Sequence, residues 1–542
     1  MISSKYFQHI AITLVSLVLI LCVLAMAMSD KLIAVVSGTA YDMEYEKELF
    51  DTSEIIDVNI IMDDGKWEEM LDGARSEVYY QCDVVINDTP FYQVGIRPKG
   101  NTSLSSIASD PNNDRYSFKL EFDQFVDGQT CFGLDKLVLN NSYADTTNMK
   151  EAVIYDMFQY LDTDASLYNY AKISVNGEYW GLYLALEAIE ESFMLRNYGM
   201  EKGYLYKPDS MNHNNNNNDN APNGNGFQKM PQGEFQRPNG AQNGERTFRR
   251  TERRSENSDK TRQPSEKSPQ RNAQGGGMPQ GGGRMGRGGM PGSMGGGGNL
   301  NYSDDNLSSY STIWSGQINA SSDTDHKRVV EALKNVRSQK DIEKYIDVEQ
   351  VLKYMAVHNF AVNNDSLSGN MAHNYYLYEA NGQISILPWD YNLSFGGMNG
   401  SDGTGVINDP IDDTWSATRL FDFVMEIEEY NARYHEYYQK LVDEYLFGGK
   451  FEETYNRIRS QIDEHVKNDP NSMYTYEEYT KGAEVLKEAV MLRAESVKGQ
   501  LAGTIPSTTE GQRADASSLV DASHLNLSEL GQFMMGGFGG RR

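Results

Sequence analysis

The sequence predicts an α+β chain, and three features of its 542 residues carry that expectation. Between 55 and 210, apolar and polar residues alternate in short runs broken by Asn-Asp and Asn-Gly pairs, the mark of antiparallel strands joined by tight turns. From Thr418 to Leu501 apolar residues instead recur at helical spacing, as in Phe421, Val424 and Met425 or Tyr437, Leu441, Tyr445 and Leu446. Between these regions, Met211 to about Asn299 is Asn-rich at its start and Gly/Met/Arg-rich at its end; such a composition buries no core and is expected to be disordered.

The 49 basic and 77 acidic residues leave a net charge of −28, which excludes a general nucleic-acid binder. The central insert runs against this trend, with 13 basic and seven acidic residues, so the remainder carries about −34. Three cysteines occur: Cys22 lies in the apolar N-terminal run, while Cys82 and Cys131 form either one disulfide or two buried thiols, the thiols being preferred. Ile10 to Met28 is a nearly unbroken apolar run of 19 residues. It is long enough to cross a bilayer, and Ala25 and Ala27 also form a signal-peptidase pattern. A retained anchor is the favoured reading, and in either case the bulk of the chain is expected outside the cytoplasm, membrane-anchored or secreted.

Taken in order, Leu32 to Thr52 reads as a linker. Strands follow at Val58–Met62 and Tyr79–Ile86, with a helix around Lys66 to Leu71 and a turn at Asn87-Asp88. Val94 to Lys99 is a strand running into Gly100-Asn101-Thr102-Ser103, a turn able to present backbone N–H groups to a phosphate. In Arg115–Phe122, Tyr116, Phe118, Leu120 and Phe122 share one face and Ser117, Lys119 and Glu121 the other, so Lys119 is a strand lysine able to reach phosphates. Asp145 or Thr146 is placed to cap a helix that carries Glu151, a candidate partner for Lys119. Asn176-Gly177 marks a hairpin whose second strand ends at Glu187.

The stretch Val351–Gly396 concentrates the chemistry. It reads as a helix, a polar loop with Asp365 and Asn370, then Asn374, two short strands joined by Asn381-Gly382, and Asp390. Phosphoryl transfer needs one carboxylate to orient the attacking hydroxyl and hard oxygen ligands to hold Mg²⁺ against phosphates. Asp365 suits the first role, and Asn374 with Asp390 the second. In protein kinases the metal-binding Asp likewise stands at the far end of a short hairpin that follows the metal-binding Asn. Asn370 competes with Asn374 because it stands five residues after Asp365; Asn374 is preferred for its place at the strand entry.

The segments RPKGNTS, YSFKLEF, LDKLVLNNSYADTTNMKEAVIYDMF, NGEYWGLYLALEAIEESF and GYLYKPDS, followed by NNDSLSGNMAHNYYLYEANGQISILPWDYNLSFG, resemble the spore coat protein H (CotH) kinase family from about Asp57 to Leu501. The resemblance implies a protein-kinase-like, two-lobed fold, a β-rich N-terminal lobe over a helical C-terminal lobe, with ATP and Mg²⁺ between them. It implies transfer of the ATP γ-phosphoryl group to Ser or Thr of exported or surface proteins, with Asp365 as catalytic residue, Asp390 on the metal and Lys119 on phosphate. Glu187 falls where such enzymes place the nucleotide-contacting connector. The family often reads PWDxD, whereas Asn392 stands in the second place here. The expected boundaries are 1–30 anchor or signal peptide, 31–54 linker, 55–210 N-terminal lobe, 211–300 insert, 301–501 helical lobe and 502–542 disordered tail. Gly396–Thr414 is expected to be a mobile, substrate-facing segment. The expected partner is a protein with Ser or Thr in a basic setting, including the chain's own Thr251, Ser255, Ser258, Ser265 and Ser268; a monomer is expected. A non-catalytic coat-assembly scaffold and nucleotidyl transfer are the alternatives.

Overall fold

The computed structural model describes residues 43–199, 203–208, 296–398 and 402–533. Seven strands of the N-terminal part are β1 (Ile56–Ile61), β2 (Tyr80–Ile86), β3 (Thr89–Lys99), β4 (Ser117–Glu121), β5 (Lys136–Asn140), β6 (Tyr168–Val175) and β7 (Glu178–Glu187). They close into a barrel in the order β1-β2-β3-β4-β5-β7-β6. Neighbours pair antiparallel except where β6 closes the ring parallel to β1, with Val58 beside Ile173. The mixed α+β character is as expected, but the N-terminal sheet is a closed barrel where sequence pattern indicated an antiparallel sheet. Closure leaves no exposed sheet edge.

The turns form where φ must be positive at both central residues. Asn87-Asp88 (φ 45° and 66°), Asn176-Gly177 (52° and 86°) and Asn381-Gly382 (55° and 89°) all meet that demand, the geometry of two-residue hairpins. Alternation then sorts the faces. Leu137, Leu139, Tyr183 and Ala185 join Val58, Ile60, Ile96, Phe118 and Leu120 in one core, while Val138, Leu182, Leu184 and Leu186 face a second core with helix α1 (Lys150–Tyr160). Burial on both faces explains why β7 reads as a continuous apolar run.

Helix α2 (Glu191–Tyr198) and β8 (Tyr204–Tyr206) follow. The C-terminal part contains α3 (Asp323–Arg337), α4 (Val348–Ala361), β9 (Tyr375–Ala380), β10 (Gln383–Pro388), α5 (Glu428–Lys440), α6 (Lys450–Lys467) and α7 (Tyr476–Leu501). β8, β9 and β10 form a second sheet in the order β10-β9-β8, with Leu205 opposite Tyr378. This pairing joins the chain before the insert to the chain after it. Helix α4 is buried on nearly every side, so its sequence shows little polar face. It ends at Val362 in the left-handed region (φ 48°). Without a glycine there, the closing carbonyls need another donor. Arg493 of α7, fully buried, provides it: its guanidinium donates to the carbonyls of Asn359 (3.0 Å) and Phe360 (3.4 Å), and to those of Ile407 (3.2 Å) and Asp409 (2.6 Å).

Four boundary expectations change. Part of the anticipated linker packs: Tyr45 is buried and its hydroxyl donates to Glu187 at 2.6 Å. Residues 296–300 belong to the folded body, with Leu300 buried and the Gly298 carbonyl accepting from the Tyr375 hydroxyl (2.6 Å). The segment after Asp390 is tied down, since Gly403–Ile407 is helical and Ile407 and Ile411 are buried. Finally, 502–533 is a packed strap. Ala522, Leu525, Leu527 and Leu530 enter the core, and its backbone pairs with 397–413 through Phe533 N–H to Gly397 O (3.0 Å) and Asp412 N–H to Ser507 O (3.0 Å). Polar residues separate this alanine and these three leucines, so no helical or strand period marks the strap in the sequence. The 10–28 apolar run and most of the insert lie outside the described residues. Among those described, no helix is long and apolar enough to cross a membrane. Cys82 and Cys131 are buried thiols.

Replacing Arg493 with Met removes its bonds to four carbonyls, Asp409 O alone keeping a second donor in Gln500 Nε2 (3.3 Å), and is expected to cost about 3–5 kcal/mol, read by chemical denaturation. Arg493→Lys rescues little, because one ammonium does not reproduce the guanidinium fork.

Candidate active site

The loop between α4 and β9 folds back on itself, which returns Asn374 to Asp365. Gly369 allows this: its N–H bonds Ser366 O at 3.0 Å, and a Cβ there would sit 1.8 Å from the Asn364 carbonyl oxygen. The Asn374 amide donates to the Asp365 carbonyl (2.8 Å) and carboxylate (3.2 Å), while His373 Nε2 lies 2.9 Å from the other carboxylate oxygen. Asp365 is thus held at both oxygens. Asn374 and Asp390, at the two ends of the hairpin, are both left-handed (φ 56° and 64°). Asn and Asp tolerate this region better than other side chains, yet such strain gathers at functional sites.

Three more elements converge on Asp390. From the end of β3 comes Lys99, whose ammonium lies 5.6 Å from the Trp389 ring centre. Lys207, just after β8, lies 5.2 Å from both the Trp389 and Tyr376 rings. From α1 comes Glu151, which accepts from Asn140 Nδ2 (2.9 Å) and from the Tyr391 N–H (3.4 Å). Burial raises the pKa of Asp390, and the Asp365 charge adds to this while Lys99 and Lys207 oppose it. Burial, then the neighbouring Asp390 charge, pushes Glu151 up to about 7. Burial lowers the Lys99 pKa, outweighing the attraction of Asp390 and Glu151.

The other sequence-derived candidates bond elsewhere, although the Lys119 charge helps to lower the Lys99 pKa. Lys119 does not pair with Glu151; its ammonium is 2.6 Å from Glu190, which Lys136 also contacts. Burial would raise the Glu190 pKa, but the two ammonium groups outweigh it and hold it down to about 2. The β3–β4 register explains the exchange: Lys119 stands opposite Arg97, whereas Lys99 lies two residues further toward Asp390. Glu187 is fully buried and accepts from the Tyr45 hydroxyl, the Leu167 N–H (3.1 Å) and Arg196 (2.7 and 3.0 Å), so it fastens α2 to the barrel. Asn370 is exposed on the loop. Asn392 donates to the Tyr143 carbonyl at 2.8 Å, away from the acids. Sequence reasoning passed over Lys99 and Lys207, although both stand inside quoted motifs, RPKGNTS and GYLYKPDS.

Among the described residues, no three His, Cys, Asp or Glu side chains converge as a cation cage. Mg²⁺, however, commonly takes one or two carboxylates and draws its other oxygens from phosphates and water. Burial raises the pKa of both Asp390 and Glu151, the Asp390 charge adding to the Glu151 shift, while Lys99 is held below its usual range in the same place. The set offers carboxylate oxygens to a cation and ammonium groups to an anion, a chemistry that suits a magnesium–phosphate group.

The Glu151 shift sets a pH dependence for the ligand-free protein. Its folded pKa of about 7 exceeds the ordinary 4.5, so the folded state binds more protons between those values and its stability falls as pH rises through that window. Thermal melts in chelator from pH 4.5 to 7.5 are expected to show this fall, and Glu151→Gln to flatten it.

A family model described as CotH kinase protein matches residues 96–265 and 296–497. No curated protein matches the chain. The matched segments include Lys99, Glu151, Lys207, Asp365 and Asp390 and end before the strap. Since they span well over half of the sequence, the chain belongs to the CotH kinase family.

Proposed function

We propose that the chain is an ATP-dependent phosphotransferase acting on Ser or Thr hydroxyls of exported proteins, on a two-lobed, kinase-like plan in which the barrel and the helical part flank the cleft. The observation that carries this reading is the convergence of Asp365, Asn374 and Asp390 around one hairpin, facing Lys99 and Lys207. Magnesium ATP, when bound, supplies the γ-phosphoryl group and the divalent charge that screens it. Asp390, with the Asn374 side-chain oxygen, would hold the metal; Lys99 and Lys207 would neutralise phosphate oxygens. Asp365, fixed by His373 and Asn374, orients the acceptor hydroxyl and receives its proton. Glu151 balances Lys99 and accepts the Tyr391 N–H, which sets the backbone next to Asp390. Lys119 and Lys136 are bridged by Glu190 and take no part in phosphate binding in this reading.

The acidic body supports a substrate with Ser or Thr in a basic setting, the chain's own insert being the nearest example, and the apolar run at 10–28 supports action outside the cytoplasm. We take the protein to work as a monomer.

Intact-mass spectrometry of residues 30–542 with Mg-ATP is expected to show gains of about 80 Da, one phosphoryl group per site. Asp365→Asn should lower the rate by at least about 100-fold while keeping Mg-ATP thermal stabilisation, and Asp390→Asn should lose both. Lys99→Met should weaken nucleotide binding more than Lys119→Met. Gains of a whole nucleotide would replace this reading with nucleotidyl transfer. No gain and no thermal shift would leave a scaffold.

A further inference from the structure

Asp365 and Asp390 lie on separate loops, 25 positions apart in the chain, yet a closed circuit of buried side chains ties those loops together. Asn363 is its first member. The Asn363 side-chain oxygen accepts the Asp365 N–H (3.2 Å), and its amide donates to the Asp390 carbonyl (3.1 Å). A backbone N–H only donates and a carbonyl only accepts, so the amide is fixed in one orientation and an isosteric Asp satisfies just one end. His358 of α4 is the second member. Its Nδ1 lies 3.0 Å from the Tyr391 hydroxyl and its Nε2 lies 2.7 Å from Ser368 Oγ and 3.2 Å from Ser366 Oγ. Both serines donate in turn to the Asn363 carbonyl, each at 3.2 Å.

We infer that Asn363 and His358 are positioning residues that couple the Asp365 loop to the Asp390 loop, so that the two acids keep one separation and neither loop loosens alone. Two routes connect the loops: one through Asn363 alone, and one through Ser366 or Ser368, His358 and Tyr391. Asn363, His358, Ser366 and Tyr391 are each at most 2% exposed, so water does not replace a lost bond cheaply. His358 sits among the Tyr354, Tyr391 and Trp415 rings. Burial there pushes its pKa down to about 3, so the circuit runs on a neutral imidazole that gives through one nitrogen and receives through the other.

The inference rests on the phosphotransfer reading for its catalytic consequence, but its structural half is read without activity. Hydrogen exchange by mass spectrometry on residues 30–542 is measured for peptides covering 362–374 and 389–397, in Tyr391→Phe, in the paired change Ser366→Ala with Ser368→Ala, in the double variant that combines these two cuts, and in Asn363→Asp. Tyr391→Phe cuts the second route at His358 Nδ1, and the paired serine change cuts it at His358 Nε2. Either alone should speed exchange about three- to tenfold in both peptides, the worth of one net hydrogen bond, and the double should add little. If a cut loosens only its own loop, or if the two cuts add fully, the coupling is overturned.

Where Mg-ATP chemistry is present, Tyr391→Phe and Asn363→Asp should lower kcat by about 10- to 100-fold with the KM for ATP changed less than about threefold. Coupled loosening with kcat unchanged would mean the circuit is structural only and would overturn the positioning role. A wild-type protein that neither transfers phosphate nor binds magnesium with a non-hydrolysable ATP analogue refutes the functional reading instead. The exchange experiment still decides the coupling in that case.

Discussion

Arg493 holds together what the chain places far apart. One guanidinium, wholly buried in α7, takes the last carbonyls of α4 and two carbonyls of the segment beyond Asp390. Removing such a charge from water is costly unless every N–H finds an acceptor, and the four carbonyls, all at chain ends or turns, need donors as much as the arginine needs acceptors. The consequence reaches the site. The turn at Val362, the loop bearing Asp365 and the anchored segment after Asp390 all start from backbone that Arg493 fixes.

The strap strengthens the same arrangement from outside. Its apolar residues fill the core beside α7, and its backbone bonds to Gly397 and Asp412, so the region after Asp390 is held on two sides. In the barrel, Arg115 plays a comparable part, pairing with Asp469 at 2.7 Å while both are almost fully buried. Each of these contacts joins residues far apart in the chain, 354 positions for Arg115 and Asp469.

Charge around Asp390 is arranged differently. The structural arginines find acceptors within the protein, whereas Asp390, Glu151 and Lys99 remain displaced from their ordinary pKa values. Carboxyl and amino groups displaced by burial in this way gather at functional sites. The cluster therefore differs in kind from the Lys119–Glu190–Lys136 bridge, whose charges offset one another and draw the carboxyl of Glu190 down to about 2.

Much of this was legible in the sequence, because it depends on neighbours in the chain. The three hairpins follow from the positive φ that Asn, Asp and Gly accept, and the places of Asn374 and Asp390 at the ends of one hairpin follow from them. The helical C-terminal part and the β-rich N-terminal part follow from periodicities of 3.6 and 2. What pattern could not supply was register and long-range contact. Lys119 and Lys99 lie on the same strand face, and only the β3–β4 pairing decides that Lys99 reaches Asp390 while Lys119 meets Glu190. Barrel closure, the burial of Tyr45 against Glu187 and the docking of the strap rest on surfaces assembled from distant segments. The sequence by itself determined which residues turn, alternate or coil; tertiary structure decided which charges face one another, because that depends on distances no local pattern encodes.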